Sequence, residues 1–163
     1  MPQLLRTALL LGLLAGRTTA CATSQCTTGT HGFWHPNRVD RQGERQGRWV
    51  IYYDDAHTQL QLKARYRHGR SVGRWRHYAI AGYCERREHF RRQGYIDITD
   101  YHPNGQLWYQ GRARLVSEPT GLHYYWYGDW VIYSADGALE KVEAYDHGQR
   151  TASWSPTAGD LVP

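Results

Sequence analysis

Arginine is the residue type in this chain with the strongest capacity for binding chemistry, because its guanidinium fork pairs with carboxylate and phosphate groups. Residues 61–95 carry ten basic and two acidic residues, a net charge of +8, whereas residues 96–163 carry four basic and nine acidic residues, a net charge of −5. A field this uneven can steer a charged partner. The predicted anion-binding residues are Arg65, Arg67, Arg74, Arg76, Arg87 and Arg91. The alternative is that these arginines only keep strand faces solvated.

Four consecutive aromatic residues, Tyr124, Tyr125, Trp126 and Tyr127, form a second candidate binding surface. They exceed what packing on one face of a strand requires, because successive side chains point to opposite faces. Some of them should therefore be exposed, and exposed aromatic residues anchor protein interfaces. The alternative is a tight hydrophobic joint between structural units.

No catalytic motif is present in the sequence. The chain lacks Gly-x-Ser-x-Gly, His-Glu-x-x-His, a phosphate-binding glycine loop and a Cys-x-x-Cys pair. His31 and His35 are four residues apart, but they lie in a segment that contains glycine and proline and offers no cysteine or carboxylate nearby. We therefore predict a protein that is not an enzyme and that has no cofactor and no metal site.

Residues 1–20 have the composition of an export signal. Their apolar segment, residues 8–16, is shorter than the roughly 20 residues that a membrane span needs. Small residues follow and stand directly before Cys21, which resembles a bacterial lipoprotein signal. The resemblance implies that Cys21 carries lipid and that the protein is anchored in the cell envelope, at the outer membrane or facing the periplasm. The alternative is ordinary cleavage after Ala20 or Ala22.

Two further cysteines, Cys26 and Cys84, remain if Cys21 is lipidated. Export to an oxidising compartment would allow a disulfide between them to persist, and two free thiols are the alternative. Residues 21–42 are predicted to be a lipid-anchored tether, because they are rich in threonine, glycine, glutamine and arginine. Residues 151–163 are predicted to be a carboxyl-terminal tail or cap.

A repeated spacing of tryptophan, tyrosine and glycine organises residues 43–150. Three units begin with Gly-x-Trp-x-x-Tyr and end with an aromatic residue and, three or four residues later, a glycine. One further unit lacks the tryptophan. The predicted structural positions are Trp49, Tyr52, Tyr66 and Gly69 in the first unit, Gly73, Trp75, Tyr78, Gly82 and Phe90 in the second, Tyr101 and Gly105 in the third, and Trp130, Tyr133, Gly137, Tyr145 and Gly148 in the fourth.

Each unit reads as a β-hairpin. Asn104-Gly105 and Asp136-Gly137 are strong hairpin-turn dipeptides, and apolar and polar residues alternate over residues 60–67 as they do in strands. A single hairpin is not stable in water, so the units must stack edge to edge. The sequence therefore predicts an all-β fold, a single elongated antiparallel sheet of stacked hairpins.

This spacing resembles the variant MORN repeat (membrane occupation and recognition nexus) of YwqK-type bacterial proteins over about residues 43–150. The resemblance implies stacked hairpins that interact with proteins or lipids. We therefore predict an exported lipoprotein that is an interaction module for a protein partner or for an anionic lipid or glycan of the envelope. Export argues against nucleic acid as the ligand. The alternative is an antitoxin or immunity-type protein that neutralises a cognate toxin.

Overall fold

The computed structural model describes residues 35–156, which form one antiparallel sheet of 11 strands. The predicted all-β class and the single sheet are therefore confirmed. The predicted signal peptide (residues 1–20) and the cysteines Cys21 and Cys26 lie outside the described residues, as do residues 157–163. Within the described part of the chain, no helix is long and apolar enough to cross a membrane.

Almost every strand pairs with the next strand along the chain. The strands are β1 (Arg38–Val39), β2 (Arg45–Tyr52), β3 (Leu60–Arg67), β4 (Arg70–Ser71), β5 (Gly73–Tyr78), β6 (Cys84–Phe90), β7 (Tyr95–Tyr101), β8 (Leu107–Glu118), β9 (Gly121–Tyr133), β10 (Leu139–Asp146) and β11 (Gln149–Trp154). Their order in the sheet is β1-β2-β3-β5-β6-β7-β8-β9-β10-β11, and β4 pairs with β3 beside this path. A short 3-10 turn joins β6 to β7. The sheet is thus a meander of hairpins.

The sheet begins earlier than predicted, within the segment assigned to a tether (residues 21–42). β1 pairs with β2, and the carbonyl oxygen of Arg38 accepts a hydrogen bond from the Trp49 indole at 3.1 Å. The Asn37 side-chain amide donates to the carbonyl of Val50 at 2.9 Å and its oxygen accepts from the Val50 N–H at 2.7 Å. These side-chain bonds hold a polar segment that has no alternating pattern, which explains why the sequence did not reveal it.

The sheet also extends past residue 150, its predicted carboxyl-terminal limit. β11 pairs with β10 as far as Trp154, so the first residues of the predicted tail (residues 151–163) belong to the sheet. All six side chains of β11 are exposed, and its sequence lacks the alternation that marks the other strands. Residues 115–127, which the repeated spacing leaves between the third and fourth units, lie within the long hairpin of β8 and β9.

Four hairpin turns share one hydrogen-bond pattern. In each turn, the N–H of the first residue donates to the carbonyl oxygen of the residue four positions later. The N–H of a glycine, three positions after the first residue, donates back to the carbonyl oxygen of that first residue. The glycines are Gly43 (φ 81°), Gly82 (φ 90°), Gly105 (φ 84°) and Gly137 (φ 90°). Only glycine adopts such a backbone without strain, which is why the spacing of this residue recurs. In the first unit, His57 (φ 58°) takes the place of the glycine, and the Asp54 carboxylate bonds to the turn N–H groups of Thr58 and Gln59.

One face of the sheet carries two clusters of buried side chains. The first contains Trp49, Ala64 and Tyr66, and the second contains Ile96, Ile98, Ala113 and Trp130. Ile98 stands three residues before Tyr101, in the position that tryptophan occupies in the other units. Its exposure of 2% shows that a branched aliphatic side chain fills this position in the third unit. We call this side of the sheet the apolar face.

A buried carboxylate interrupts the apolar face in the fourth unit. Glu143 is 6% exposed, and it pairs across the strands with Trp130. Its oxygens accept hydrogen bonds from Lys141 at 3.1 Å, Tyr145 at 2.9 Å and Arg150 at 2.9 Å. Burial alone would raise the pKa of Glu143, but these hydrogen bonds outweigh it, and the pKa lies below its ordinary value.

The stabilisation by Glu143 is expected to depend on pH. Because its pKa is lower in the folded state, the ionised side chain stabilises the fold fully above the ordinary glutamate pKa of about 4.3, and this contribution is lost as the pH falls through the folded pKa. We expect Glu143→Gln to lower the free energy of unfolding by about 1–2 kcal/mol near pH 7. Urea unfolding of both proteins checks this; an equal difference near pH 7 and below the folded pKa would contradict it.

Candidate anion-binding surface

Strand alternation places basic side chains on the side of the sheet opposite the apolar face. In β2 and β3, Trp49 and Ala64 are paired and buried, so the flanking Arg48 and Arg65 point to the other side. Six exposed basic residues of this side form what we call the basic ladder: Arg48 in β2, Lys63 and Arg65 in β3, Arg74 and Arg76 in β5, and Arg87 in β6.

The register of the strands brings like charges directly opposite one another. Arg48 pairs with Arg65 between β2 and β3, and Lys63 pairs with Arg76 between β3 and β5. Arg76 also pairs with Arg87 between β5 and β6. Like charges at directly opposed positions destabilise a sheet. The ladder is therefore an arrangement that the fold alone does not favour.

Acidic side chains do not neutralise the basic ladder. None of the ion pairs found within residues 35–156 includes a residue of the ladder. Two of the cations instead lie over aromatic rings, Lys63 at 5.6 Å from the Tyr78 centroid and Arg87 at 4.9 Å from the Tyr101 centroid. Such contacts favour a cation without cancelling its charge, so the ladder keeps its positive field.

The structure brings four of the six predicted arginines together, namely Arg65, Arg74, Arg76 and Arg87. Arg67 lies on the same side at the end of β3, where it pairs with Arg70 of β4, beyond the four strands that carry the ladder. Arg48 and Lys63 belong to the ladder but were missed. Alternation along their strands could have revealed both. The prediction used the stretch of high net charge, residues 61–95, and Arg48 lies outside this stretch.

Arg91 is engaged by an acidic residue and is not part of the ladder. Its guanidinium donates to Asp97 at 2.6 Å, and Arg112 donates to the same carboxylate at 3.1 Å. Burial would raise the pKa of Asp97, but the two arginines outweigh this effect, and the pKa is lowered. In the structure Arg91 is an ion-pair partner, and the ligand-binding role predicted for it stays a prediction.

The aromatic run does not form one surface, because strand alternation in β9 divides it. Trp126 stacks on Trp130 with ring centroids 4.1 Å apart and packs against the second buried cluster, so the binding role predicted for Trp126 is corrected to a structural one. Tyr124 lies on the same apolar face and is 47% exposed, although burial of its hydroxyl group raises its pKa to about 12. Tyr125 and Tyr127 point to the opposite side.

A charged cluster on the apolar face accounts for one further arginine of the basic stretch. Arg86 donates two hydrogen bonds to Asp100, at 2.7 and 2.8 Å, and a third to the Tyr109 hydroxyl at 3.0 Å. Hydrogen bonding to Asp100 raises the pKa of Arg86. The cluster lines a cleft of about 660 Å³ beside the half-exposed Trp108. Arg86 therefore lies away from the ladder and is held by its own partners.

A group of three side chains in the described chain has the geometry to hold a metal ion, because their ligand atoms lie within 4.8 Å of one another. The residues are Asp40, Glu44 and His68. The Asp40 carboxylate already accepts hydrogen bonds from the backbone N–H groups of Gln42 at 3.1 Å and Glu44 at 2.9 Å, and it lies 3.0 Å from the His68 ring. The backbone hydrogen bond from Glu44 is the largest cause of the lowered pKa of Asp40. The Asp40 carboxylate therefore caps the turn between β1 and β2.

The structure describes only one member of two residue pairs that the sequence analysis considered, His31 with His35 and Cys26 with Cys84. His35 lies at the beginning of the described chain, whereas His31 lies outside it. Cys84 is a half-buried free thiol in the described structure. Because Cys26 lies outside that part of the chain, its pairing with Cys84 stays a prediction.

Comparison with known proteins gives no family, relative or fold neighbour for this chain. No family model, no curated protein and no solved structure matches it. The similarity to variant MORN repeats therefore stays a prediction that rests on the repeated spacing. Any function must be inferred from the geometry and charge of the described residues.

Proposed function

We propose that this protein is a binding module and not an enzyme, and that its basic ladder binds an anionic ligand. The observation that carries the proposal is the set of directly opposed basic pairs on one exposed side of the sheet. Each such pair weakens the sheet, by an amount on the order of 0.2–1 kcal/mol. A ligand that supplies negative charge at these positions removes the repulsion and gains charge-assisted hydrogen bonds.

The shape of the surface supports binding over catalysis. The ladder occupies a sheet surface, and its members lie on four strands at regular spacing. General acid–base catalysis instead needs a positioned group with a pKa suited to proton transfer. An extended row of permanently charged guanidinium groups suits the recognition of several anionic groups at once.

The proposal includes a location in the bacterial cell envelope. The segment resembling a lipoprotein signal supports export, with Cys21 as the lipidated residue and the following residues as a short tether. A sheet held near a membrane in this way would present its ladder to anionic lipids, anionic glycans or an acidic protein. Each of these ligands carries the carboxylate, phosphate or sulfate groups that arginine forks bind.

Removing two central cations is expected to weaken anion binding without weakening the fold. In the Arg76→Gln/Arg87→Gln variant, the retention on vesicles of phosphatidylcholine with about one third phosphatidylglycerol that exceeds retention on pure phosphatidylcholine should fall at least tenfold at low salt, since this part of the attraction is electrostatic and screened by salt. The free energy of unfolding should be unchanged or rise by about 0.2–1 kcal/mol, because two repulsive pairs, Lys63–Arg76 and Arg76–Arg87, are lost together with the favourable contact of Arg87 with Tyr101. Vesicle sedimentation and urea unfolding of the full-length protein measure the two quantities.

A matched control separates the ladder from net charge. Arg92 is an exposed arginine in the 3-10 turn after β6, outside the ladder. The Arg41→Gln/Arg92→Gln variant loses the same charge as the ladder variant and should keep most of the retention on vesicles, because Arg41 also lies in an exposed turn. If the two double variants lose retention equally, overall charge and not the ladder causes binding, and the proposal is wrong.

A further inference from the structure

The basic ladder has a repeat distance that is set by the sheet. Neighbouring strands lie about 4.8 Å apart, and side chains on one face recur about every 6.8 Å along a strand. The ladder forms two rows across the strands. Arg48, Arg65 and Arg74 make the first row, over β2, β3 and β5, and Lys63, Arg76 and Arg87 make the second row, over β3, β5 and β6.

The two rows flank the pairing of Lys63 with Arg76. Arg65 lies two residues after Lys63 and Arg74 lies two residues before Arg76, so both lie on the same side of the sheet and at the same end of this antiparallel pair. The rows are shifted by one strand relative to each other, so together they offer positive charge over four successive strands. A ligand lying across the strands would meet a cation at about every 4.8 Å.

The track of cations ends at a defined strand. In β7, Asp97 pairs with His89 and Thr99 pairs with Arg87, so an acidic residue and a neutral residue follow the two rows. The lowered pKa of Asp97 keeps this carboxylate ionised at neutral pH. Asp97 is held by Arg91 and Arg112, and β7 itself carries no basic residue, so an anionic chain that continued over β7 would gain no further cation from this strand. The site therefore has room for about four anionic groups, one for each of β2, β3, β5 and β6.

We infer that the ligand of the basic ladder is a linear acidic polysaccharide lying across the strands, with one acidic group per strand. This inference rests on the proposed function. A 1,4-linked chain of uronic acids carries one carboxylate per sugar, and its sugars advance by nearly the distance between neighbouring strands. Arginine forks bind carboxylates through two parallel hydrogen bonds, and a flat surface suits an extended chain.

Single-stranded nucleic acid fits this surface less well. Such ligands stack their bases on free aromatic rings beside a basic groove. On this side of the sheet, Tyr78 and Tyr101 lie under the cations of Lys63 and Arg87. Those two rings are therefore already covered. Charge recognition without base stacking favours a ligand whose charges sit on a saturated sugar chain.

The test is an isothermal titration calorimetry experiment at low salt, in which the full-length protein is titrated with oligogalacturonates of one to about eight sugars. The affinity per molecule is expected to rise at each step up to about four sugars and only slightly afterwards, because the cationic track spans four strands. Methyl-esterified oligomers, which lack the charge, should not bind. The Arg76→Gln/Arg87→Gln variant should bind the tetramer at least tenfold more weakly, and Arg41→Gln/Arg92→Gln should bind it nearly as the natural protein does.

The possible results separate this inference from the proposed function. A length dependence that saturates near four sugars and depends on the ladder supports the inference. Affinity that does not change with length, or tighter binding of an oligothymidylate of equal charge, overturns it while leaving anion binding by the ladder intact. If the ladder variant binds oligogalacturonates, oligothymidylate and anionic vesicles as well as the natural protein does, both proposals are wrong. Circular dichroism confirms that each variant is folded.

Discussion

Replacement of Trp130 by alanine is expected to lower the free energy of unfolding by about 3–5 kcal/mol. Trp130 is 1% exposed and forms the centre of the second buried cluster, where its ring lies 4.1 Å from that of Trp126 and 5.6 Å from that of Tyr109. Truncation would leave a cavity that strands joined on both sides cannot close. Urea unfolding measures the loss, and Trp154→Ala is the control, because Trp154 is 51% exposed on the edge strand.

Gly111 provides a second measurement of the same packing. A Cβ atom placed on Gly111 would overlap the Trp130 indole, so this glycine makes the room that the ring occupies. We expect Gly111→Ala to destabilise the protein by about 1–3 kcal/mol through overpacking. In the Gly111→Ala/Trp130→Ala double variant the clash is absent, so the combined loss should be smaller than the sum of the single losses. Strictly additive losses would show that the two residues do not pack as described.

The hairpin architecture could be predicted from the sequence because it depends on local chemistry. A turn residue at φ of 84–90° strongly favours glycine, and this preference fixes the spacing of Gly82, Gly105 and Gly137. The burial of each repeated tryptophan could not be predicted, since it depends on what the neighbouring strand supplies. Trp75 occupies the same repeat position as Trp130 but is only half-buried, whereas Trp130 lies over a glycine of β8.

The candidate site was predicted in part, because charge is visible in a sequence and register is not. Alternation shows that Lys63 and Arg65 share a side of β3. It does not show which residues of β2 and β5 lie opposite them, because the hairpins contain register shifts such as those at Tyr52 and Tyr78. The same limit applies to the aromatic run. Either half of it could have been buried, and the cluster around Trp130 decides which half is.

The charged cluster on the apolar face leads to the second large expected effect. Asp100 is 4% exposed, and its carboxylate accepts two hydrogen bonds from Arg86. In Asp100→Ala the Arg86 guanidinium would keep Glu88 as an acidic neighbour, at 4.0 Å, and would lose its bidentate partner. We therefore expect a loss of about 1.5–3 kcal/mol in the free energy of unfolding, the range for hydrogen bonds to charged groups, because the Arg86 side chain is 38% exposed and is hydrated when Asp100 is absent.

Two further variants distinguish a buried ion pair from a general loss of charge. Asp97 also pairs with arginines, but its side chain is 32% exposed on the opposite side of the sheet, so Asp97→Ala should cost only about 0–1 kcal/mol. Replacing both partners, in Arg86→Met/Asp100→Leu, removes the buried charge together with its partner and should be much less destabilising than Asp100→Ala. If Asp100→Ala and Asp97→Ala unfold at the same urea concentration, the carboxylate of Asp100 does not hold Arg86 in a desolvated pair. The charges on the apolar face would then be as weakly coupled as those at the surface.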